Sequence, residues 1–235
     1  DVILDKAGQK GTGLWTAMSS LEVGCPAPTI SQAVYARSIS SFKALRLQAQ
    51  DILAGPEKQT FTEDEKQALI DQLHDAIYCS KICAYAQGFQ LMKFACKEHG
   101  WSLDFASIAK IWRAGCIIRA AFLQSISDAF DRDEKLENLL LDEFFADQIS
   151  KSQLNWRKAI SQATLMGIPC GALSSSLSYY DSMRSCVLPA NLLQGQRDFF
   201  GSHQFERIDE AEGKSFHVQW STKEREMVSI KTTKK

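Results

Sequence analysis

The feature that most constrains the fold is a long stretch without helix breakers that begins at residue 62. Thr62 and Glu65 have the spacing of a capping box, in which two side chains satisfy backbone N–H groups at a helix start. No proline follows before Gly100, and Gly88 is the only glycine between them. From Tyr78 onward the stretch is apolar nearly all round, which is typical of a buried helix. We therefore predict a central helix on the order of 50 Å long.

The rest of the chain also has a helical pattern, because its 235 residues include only five prolines and little β-type alternation. The further helices are predicted over 14–23, 30–53, 104–112, 118–130, 142–167, 174–183 and 190–200. Residues 216–220 are predicted to form a short extended segment. The predicted fold is all-α, with one large helical domain over residues 1–220 and long central helices. Residues 221–235 are mostly charged or hydroxylated and are predicted to be a mobile tail.

Composition excludes several classes of protein. The net charge of −1 favours neither nucleic acid nor an anionic membrane as a partner. No signal peptide and no apolar run of 18 residues is present, so neither secretion nor membrane insertion is indicated. The seven cysteines are dispersed without a Cys-x-x-Cys pair, which indicates a reduced, cytoplasmic protein. Cys79 and Cys83 have the spacing of half a metal site, but apolar filling of a buried helix is favoured, and no metal is predicted.

A glycine-rich stretch near the start, Gly8 to Gly13, leads directly into an apolar helical run. Glycine lets a backbone approach a ligand closely, and the free N–H groups of a helix start attract anions. Lys10 adds a cation among the glycines. A phosphate or carboxylate site is one interpretation, and a tight connection with a solvated lysine is the interpretation that local physics favours. The order of residues matches neither a Walker loop nor a dinucleotide fingerprint.

The longer segment 3–15, ILDKAGQKGTGLW, resembles the signature of the 6-phosphogluconate dehydrogenases. Residues 111–119, IWRAGCIIR, are similar to a second stretch of that family. Residues 188–203, LPANLLQGQRDFFGSH, are a third and close match. The resemblance extends over essentially the whole chain but covers only the C-terminal half or so of the family's length. It implies that a Rossmann domain, which this chain lacks, precedes the segment.

The resemblance implies four contacts to the substrate 6-phosphogluconate, namely Lys10, Arg37, Arg197 and His203. Three cations and a histidine suit a molecule with a phosphate and a carboxylate. In the family, the last Arg and His reach into the partner subunit's active site, so the resemblance also implies a homodimer with shared sites. By themselves, an Arg and a His on a helix rim usually only face solvent. Arg113 and Arg119 of the second match are expected to anchor local groups and are not predicted to be site residues.

The reaction implied by the resemblance is the NADP-dependent oxidative decarboxylation of 6-phosphogluconate to ribulose 5-phosphate in the pentose phosphate pathway. The family's catalytic lysine and glutamate lie upstream of this segment, as does most of the NADP site, so no catalytic residue is expected here. Lys10 is not expected to act as the base, and the chain alone is predicted to be inactive. The alternative is a non-catalytic helical dimerisation or scaffold module. The tail lacks the Gly-His-Gly-Gly run of longer members, so the resemblance does not extend to a contact between the tail and the cofactor.

Overall fold

The computed structural model describes residues 2–230. They are helical apart from one small sheet, which confirms the predicted all-α class. Contacts divide the chain between Asp181 and Ser182 into two compact units, a finer division than the single domain predicted to residue 220. No helix within these described residues is long and apolar enough to cross a membrane.

The first unit is built around α4, Glu63–His99, the long helix that the sequence predicts. Its capping box is present, because the Glu65 backbone N–H donates to Thr62 Oγ1 and the Thr62 N–H donates to Glu65 Oε2 at 2.8 Å. Gly100 ends the helix in the left-handed conformation. The other helices of this unit are α1 (Thr12–Glu22), α2 (Pro28–Ser40), α3 (Lys43–Ile52), α5 (Phe105–Ile111), α6 (Leu123–Arg132), α7 (Glu143–Leu165) and α8 (Gly171–Met183).

The core of the first unit lies where α4 packs along α7, with α5 and α6 packed against each other beside it. Phe89 of α4 is buried among the rings of Phe105, Trp112 and Phe130, with centroid distances of 5.1–6.1 Å. Aromatic and aliphatic burial of this kind supplies most of the stability of a helical domain. Cys79 and Cys83 belong to this core, and burial raises the pKa of the Cys79 thiol to about 12.

Two predicted helices differ from the structure by more than three residues. The single helix predicted over 30–53 is two helices, α2 and α3, separated at Ser41 and Phe42. The hydroxyls of Ser38, Ser40 and Ser41 donate to backbone carbonyls three or four residues earlier. Such bonds compete with the helical backbone and favour a break. The helix predicted over 118–130 begins only at Leu123, because residues 112–122 form a series of turns.

The second unit contains α9, Ala190–Gly201, and an antiparallel sheet in the order β1, β2, β3. The strands are β1 (Phe205–Glu206), β2 (Ser215–Val218) and β3 (Met227–Ile230), and β2 confirms the predicted extended segment. Phe216 pairs with Phe205 on one side and with Ser229 on the other. The strand β3 lies inside the predicted tail 221–235. The prediction that this whole segment is a mobile tail is therefore wrong for residues 227–230. Residues 231–235 of that tail lie outside the described residues.

Candidate anion-binding site

The segment before α1 is held against α2 and α3 by ionic and polar contacts. Asp5 accepts from Lys43 Nζ at 2.8 Å and from Arg46 Nη1 at 2.9 Å. Arg46 Nη2 also donates to the Asp5 and Ser40 carbonyls. Hydrogen bonds from Arg46 and then Lys43 hold the pKa of the Asp5 carboxyl well below its usual range. These contacts give the segment a defined position although most of it is exposed.

The backbone of Arg37 in α2 is connected to this segment by hydrogen bonds through the side chain of Ser40. Ser40 Oγ donates to the Arg37 carbonyl at 2.7 Å and accepts from the Ala7 backbone N–H at 2.9 Å. A cavity of about 530 Å³ is lined by Arg37 together with Lys6, Ala7, Gly8, Gln9, Ser38, Ser41 and Phe42. Lys10 directly follows Gln9 and is exposed, but it is not among the lining residues. The fold thus brings Arg37 and the glycine-rich segment to one cavity.

Two glycines of the stretch have roles in the backbone geometry. Gly11 precedes α1 with φ of 96°, a left-handed conformation that side chains rarely adopt. A Cβ on Gly13 would lie 3.2 Å from Val34 Cγ2, so the absence of a side chain lets α1 approach α2 closely. Val34 is one helical turn before Arg37. The glycines therefore set the position of the segment relative to Arg37, a role that the sequence alone did not assign to them.

The cations of this region are available to a ligand. Within residues 2–230, neither Lys10 nor Arg37 has an acidic partner at ion-pair distance, and both are exposed. The helix α1 begins at Thr12, so its first N–H groups lie next to Lys10 in the chain. A guanidinium, an ammonium and a helix start are groups that bind phosphate and carboxylate oxygens.

In the second unit, Arg197 and His203 lie at the C-terminal end of α9. Both side chains are exposed, and Arg197 Nη1 donates to Gln194 Oε1 at 3.0 Å. The His203 backbone N–H donates to the Arg197 carbonyl at 3.4 Å, so the backbone turns back just past the helix end. The ring of His203 makes an edge contact with the ring of Phe200, with centroids 6.0 Å apart.

The turn after α9 is built around one buried carboxylate that sequence reasoning missed. Asp198 is fully buried and accepts from the Gln204 and Val218 backbone N–H groups, from His217 Nδ1 and from Trp220 Nε1, at 2.8–3.1 Å. Burial acts to raise the pKa of Asp198, but the hydrogen bonds from these four groups outweigh it and hold the pKa below its usual value. Burial of this aspartate could not be foreseen from the sequence, because its hydrogen-bond donors lie 6 to 22 residues further along the chain.

A comparison with known families identifies the group of proteins to which these features belong. Residues 1–220 match the family model described as 6-phosphogluconate dehydrogenase, C-terminal domain. The chain belongs to the 6-phosphogluconate dehydrogenase family. This confirms the family that the three sequence segments predict. The match includes both units of the fold as far as residue 220.

Individual members of the 6-phosphogluconate dehydrogenase family are closely similar. The decarboxylating enzyme of Schizosaccharomyces pombe is 52% identical over 225 residues, which is 93% of this chain and 45% of that protein. The Bacillus subtilis enzyme, named NADP(+)-dependent and decarboxylating, is 52% identical over 94% of this chain and 46% of its own length. The chain therefore spans about half the length of the curated relatives it matches.

A solved structure of the family shares the fold. It is Plasmodium falciparum 6-phosphogluconate dehydrogenase, described in its apo form, in complex with its cofactor NADP+ and in complex with its substrate 6-phosphogluconate. The TM-score is 0.87 with 43% identity, covering 94% of this chain and 47% of that one. Similarity at this level supports the helical architecture of the chain.

The structure also bears on the groups not predicted to be site residues. Arg113 Nε donates to the Lys110 carbonyl, as expected, and its Nη1 donates to the amide oxygen Gln124 Oε1 and not to a carboxylate. Within residues 2–230 the side chain of Arg119 makes no hydrogen bond or ion pair, so the expected anchoring is not seen for it. The part of the chain that the structure describes contains no group of His, Cys, Asp and Glu able to hold a metal ion. The roles of Lys10, Arg37, Arg197 and His203 stay predictions, and the structure places two of them in each unit.

Proposed function

We propose that this chain is the substrate-binding and dimer-forming part of an NADP-dependent 6-phosphogluconate dehydrogenase, which converts 6-phosphogluconate to ribulose 5-phosphate in the pentose phosphate pathway. The observation that carries the proposal is the cavity that Arg37 shares with the glycine-rich family segment. A signature retained in sequence and folded against a free cation is what a substrate site requires. The proposal extends to the reduced, cytoplasmic location that seven free cysteines support.

In this proposal Lys10, Arg37, Arg197 and His203 bind and orient the substrate. Arginine matches phosphate or carboxylate with two parallel hydrogen bonds, and lysine acts as a mobile point charge. Histidine contributes a hydrogen bond to an anion or hydroxyl. None of the four is proposed to transfer the proton in the reaction, because the resemblance assigns that role to residues outside this chain.

The described residues do not fit an NADP site of their own. The strands of residues 2–230 are all antiparallel, and no Gly-x-Gly-x-x-Gly segment follows any of them to open a helix. We therefore assign NADP, which accepts a hydride when bound, to the part of the enzyme that lies outside this segment. The role of this segment is to hold the substrate.

A homodimer is part of the same proposal. The helix α3 has no buried residue, and Phe42, Leu45, Ile52 and Leu53 beside or within it are each at least 55% exposed. In the second unit, α9 likewise exposes Leu192 and Phe200. Large exposed apolar side chains of this kind are typical of surfaces that another subunit covers. We expect sedimentation at micromolar concentration to give the mass of two chains, and the mass of one chain would contradict the dimer.

The proposal is tested by assaying NADPH formation from 6-phosphogluconate. We expect none from the purified 235-residue chain, and we expect activity from the longer protein that contains it. Measurable activity of the 235-residue chain would contradict the assignment of NADP elsewhere. A longer protein that forms no NADPH would favour the alternative, a non-catalytic dimerisation or scaffold module.

A further inference from the structure

The backbone on either side of His203 is held in a conformation that costs free energy. Ser202 has φ of 51° and Gln204 has φ of 61°, so two non-glycine residues in the left-handed region flank the histidine. Such a conformation is unfavourable for residues with a side chain and persists only where the surroundings enforce it. The residues that enforce it are therefore informative about why His203 stands where it does.

Three consecutive backbone N–H groups tie this turn to the last turns of α9. The Ser202 N–H donates to the Asp198 carbonyl at 2.9 Å, and the His203 N–H donates to the Arg197 carbonyl at 3.4 Å. The Gln204 N–H donates to Asp198 Oδ1 at 3.0 Å. All three acceptors belong to Arg197 and Asp198. These bonds therefore fix the position of the His203 main chain relative to the main chain of Arg197.

The carboxylate of Asp198 connects the same turn to β2. Its Oδ2 accepts from the Val218 N–H at 3.1 Å and from Trp220 Nε1 at 2.9 Å, while its Oδ1 accepts from His217 Nδ1 at 2.8 Å and from Gln204. Four donors occupy both oxygens of a side chain with no exposed surface. The group is thus a fixed point inside the second unit and is not itself accessible to a ligand.

The side chain of His203 is placed by the absence of a side chain on Gly201. A Cβ built on Gly201 would lie 2.8 Å from both Cδ2 and Nε2 of the imidazole, closer than real Cβ contacts allow. The φ of Gly201 is not positive, so the backbone itself accepts alanine there. Glycine at this position therefore leaves the space that the ring occupies, and an alanine side chain would require the exposed ring to move.

We propose that Asp198 and Gly201 are positioning residues that set the imidazole of His203 relative to Arg197 before the substrate binds. The proposal rests on the proposed function, in which these two side chains contact 6-phosphogluconate. Asp198 fixes the main chain of the turn, and Gly201 leaves the space in which the ring lies. Preorganisation of this kind reduces the ordering that binding would otherwise require.

The sharpest test replaces Gly201 by alanine in the full-length enzyme. Alanine favours a helix, so thermal stability is expected to be unchanged or higher, while the affinity for 6-phosphogluconate falls about tenfold because the ring is displaced. A matched control is Gly195→Ala in the same helix, where a Cβ meets no atom within 4 Å. This control is expected to leave the affinity unchanged. Equal affinity of the Gly201→Ala and wild-type enzymes, measured calorimetrically, would overturn the proposal.

A double-mutant cycle shows whether the effect passes through the histidine. Adding Gly201→Ala to His203→Ala is expected to cause no further loss, because the ring that it displaces is gone. The same tenfold loss in both backgrounds would overturn the proposal. If His203→Ala alone leaves the affinity unchanged, the proposed substrate contact fails. In that case the crystal structure of the Gly201→Ala enzyme tests the positioning role. An imidazole in its original place would overturn that role.

Asp198→Asn tests the other half of the proposal. The orientation of the amide that keeps the Val218 and Trp220 bonds places its NH₂ against the Gln204 N–H and releases that tether. We expect KM for 6-phosphogluconate to rise severalfold while KM for NADP is unchanged, a division that general destabilisation would not produce. An equal rise in both KM values would contradict a positioning role for Asp198.

Discussion

The two units of the chain are each stabilised internally by a different kind of interaction. The first unit buries a continuous core of aromatic and aliphatic side chains between α4, α7 and their neighbours. Among residues 182–230 of the second unit, the buried apolar side chains are Phe216 and Val218, and the buried carboxylate of Asp198 lies at its centre. The stabilisation from apolar burial does not depend on pH. The stabilisation from a carboxylate that accepts four hydrogen bonds does, because it requires the carboxylate to be charged.

This difference separates residues that maintain the fold from residues that maintain the geometry of the candidate site. In the first unit, Arg37 is on a helix whose neighbours are fixed by packing, and the segment that shares its cavity is attached by exposed ionic contacts. In the second unit, the buried Asp198 directly follows Arg197 in the chain and lies only five residues before His203. We expect substitutions in the first core to change stability, and substitutions around Asp198 to change the geometry of the site.

The largest effect is expected for Ile82→Ala. Ile82 lies in α4 with 1% exposure, so the substitution removes buried atoms and leaves a cavity. We expect the free energy of unfolding of the first unit to fall by about 2–5 kcal/mol, measured by urea denaturation. The matched control is Ile208→Ala in the second unit, where the side chain is fully exposed and the change should stay within about 0.5 kcal/mol. Similar losses in both variants would contradict the contrast between the units.

The same contrast explains how much could be predicted from the sequence. The helix α4 was predicted nearly to the residue, because its capping box and its lack of breakers are local signals. The break at Ser41 was missed, since it depends on hydroxyls that can bond either solvent or backbone. The partners of Asp198 are 6 to 22 residues away and meet only in the folded turn. The four substrate contacts came from the family resemblance, and local spacing alone would not have selected them.

A second prediction uses one cation from each unit. Lys10→Ala and Arg197→Ala, made separately in the full-length enzyme, should each weaken 6-phosphogluconate binding by about ten- to a hundredfold and leave NADP binding nearly intact. The loss follows from removing one charge-assisted hydrogen bond. Arg197→Lys should recover only part of the affinity, because an ammonium cannot reproduce the planar fork. Calorimetric titration measures both ligands.

Mixing these two variants tests whether one substrate site contains Lys10 from the first unit of one subunit and Arg197 from the second unit of the other. If each site takes Lys10 from one subunit and Arg197 from the other, a mixed dimer contains one intact site. We therefore expect partial recovery of high-affinity binding after subunit exchange. Impaired single variants without recovery would reject the shared arrangement and keep the residue assignment. Unchanged affinity in both single variants would reject the assignment itself.

A third and smaller effect concerns pH. The pKa of Asp198 is lower in the folded protein than its ordinary value, so its contribution to stability is present above the unfolded pKa. That contribution is lost as the pH falls through the folded pKa, which is lower than the unfolded one. We expect the amide protons of β2 to lose protection from hydrogen exchange at a pH where those of α4 keep it.

The control for this pH dependence is Asp209→Asn in the same unit. Asp209 forms an exposed ion pair with Arg207 at 2.5 Å, and exposed pairs contribute little to stability. The substitution should leave the acid sensitivity of β2 in place, whereas Asp198→Asn should remove it. Loss of protection in α4 at the same pH as in β2 would show that the two units do not differ in the way their cores suggest.

The smallest effect is expected at the start of α4, where Thr62 caps a helix that only later enters the core. Thr62→Ala removes the acceptor for the Glu65 N–H, and such a loss costs about 1 kcal/mol. The matched control is Thr60→Ala, an exposed threonine before the helix. Residues 62–68 are all exposed, so hydrogen exchange should show fraying of the first turn with little change around Ile82. A loss as large as that of Ile82→Ala would mean that the first turn unfolds together with the core. The stabilising part of α4 would then include a polar cap, and the contrast between an apolar unit and a polar one would be a matter of degree.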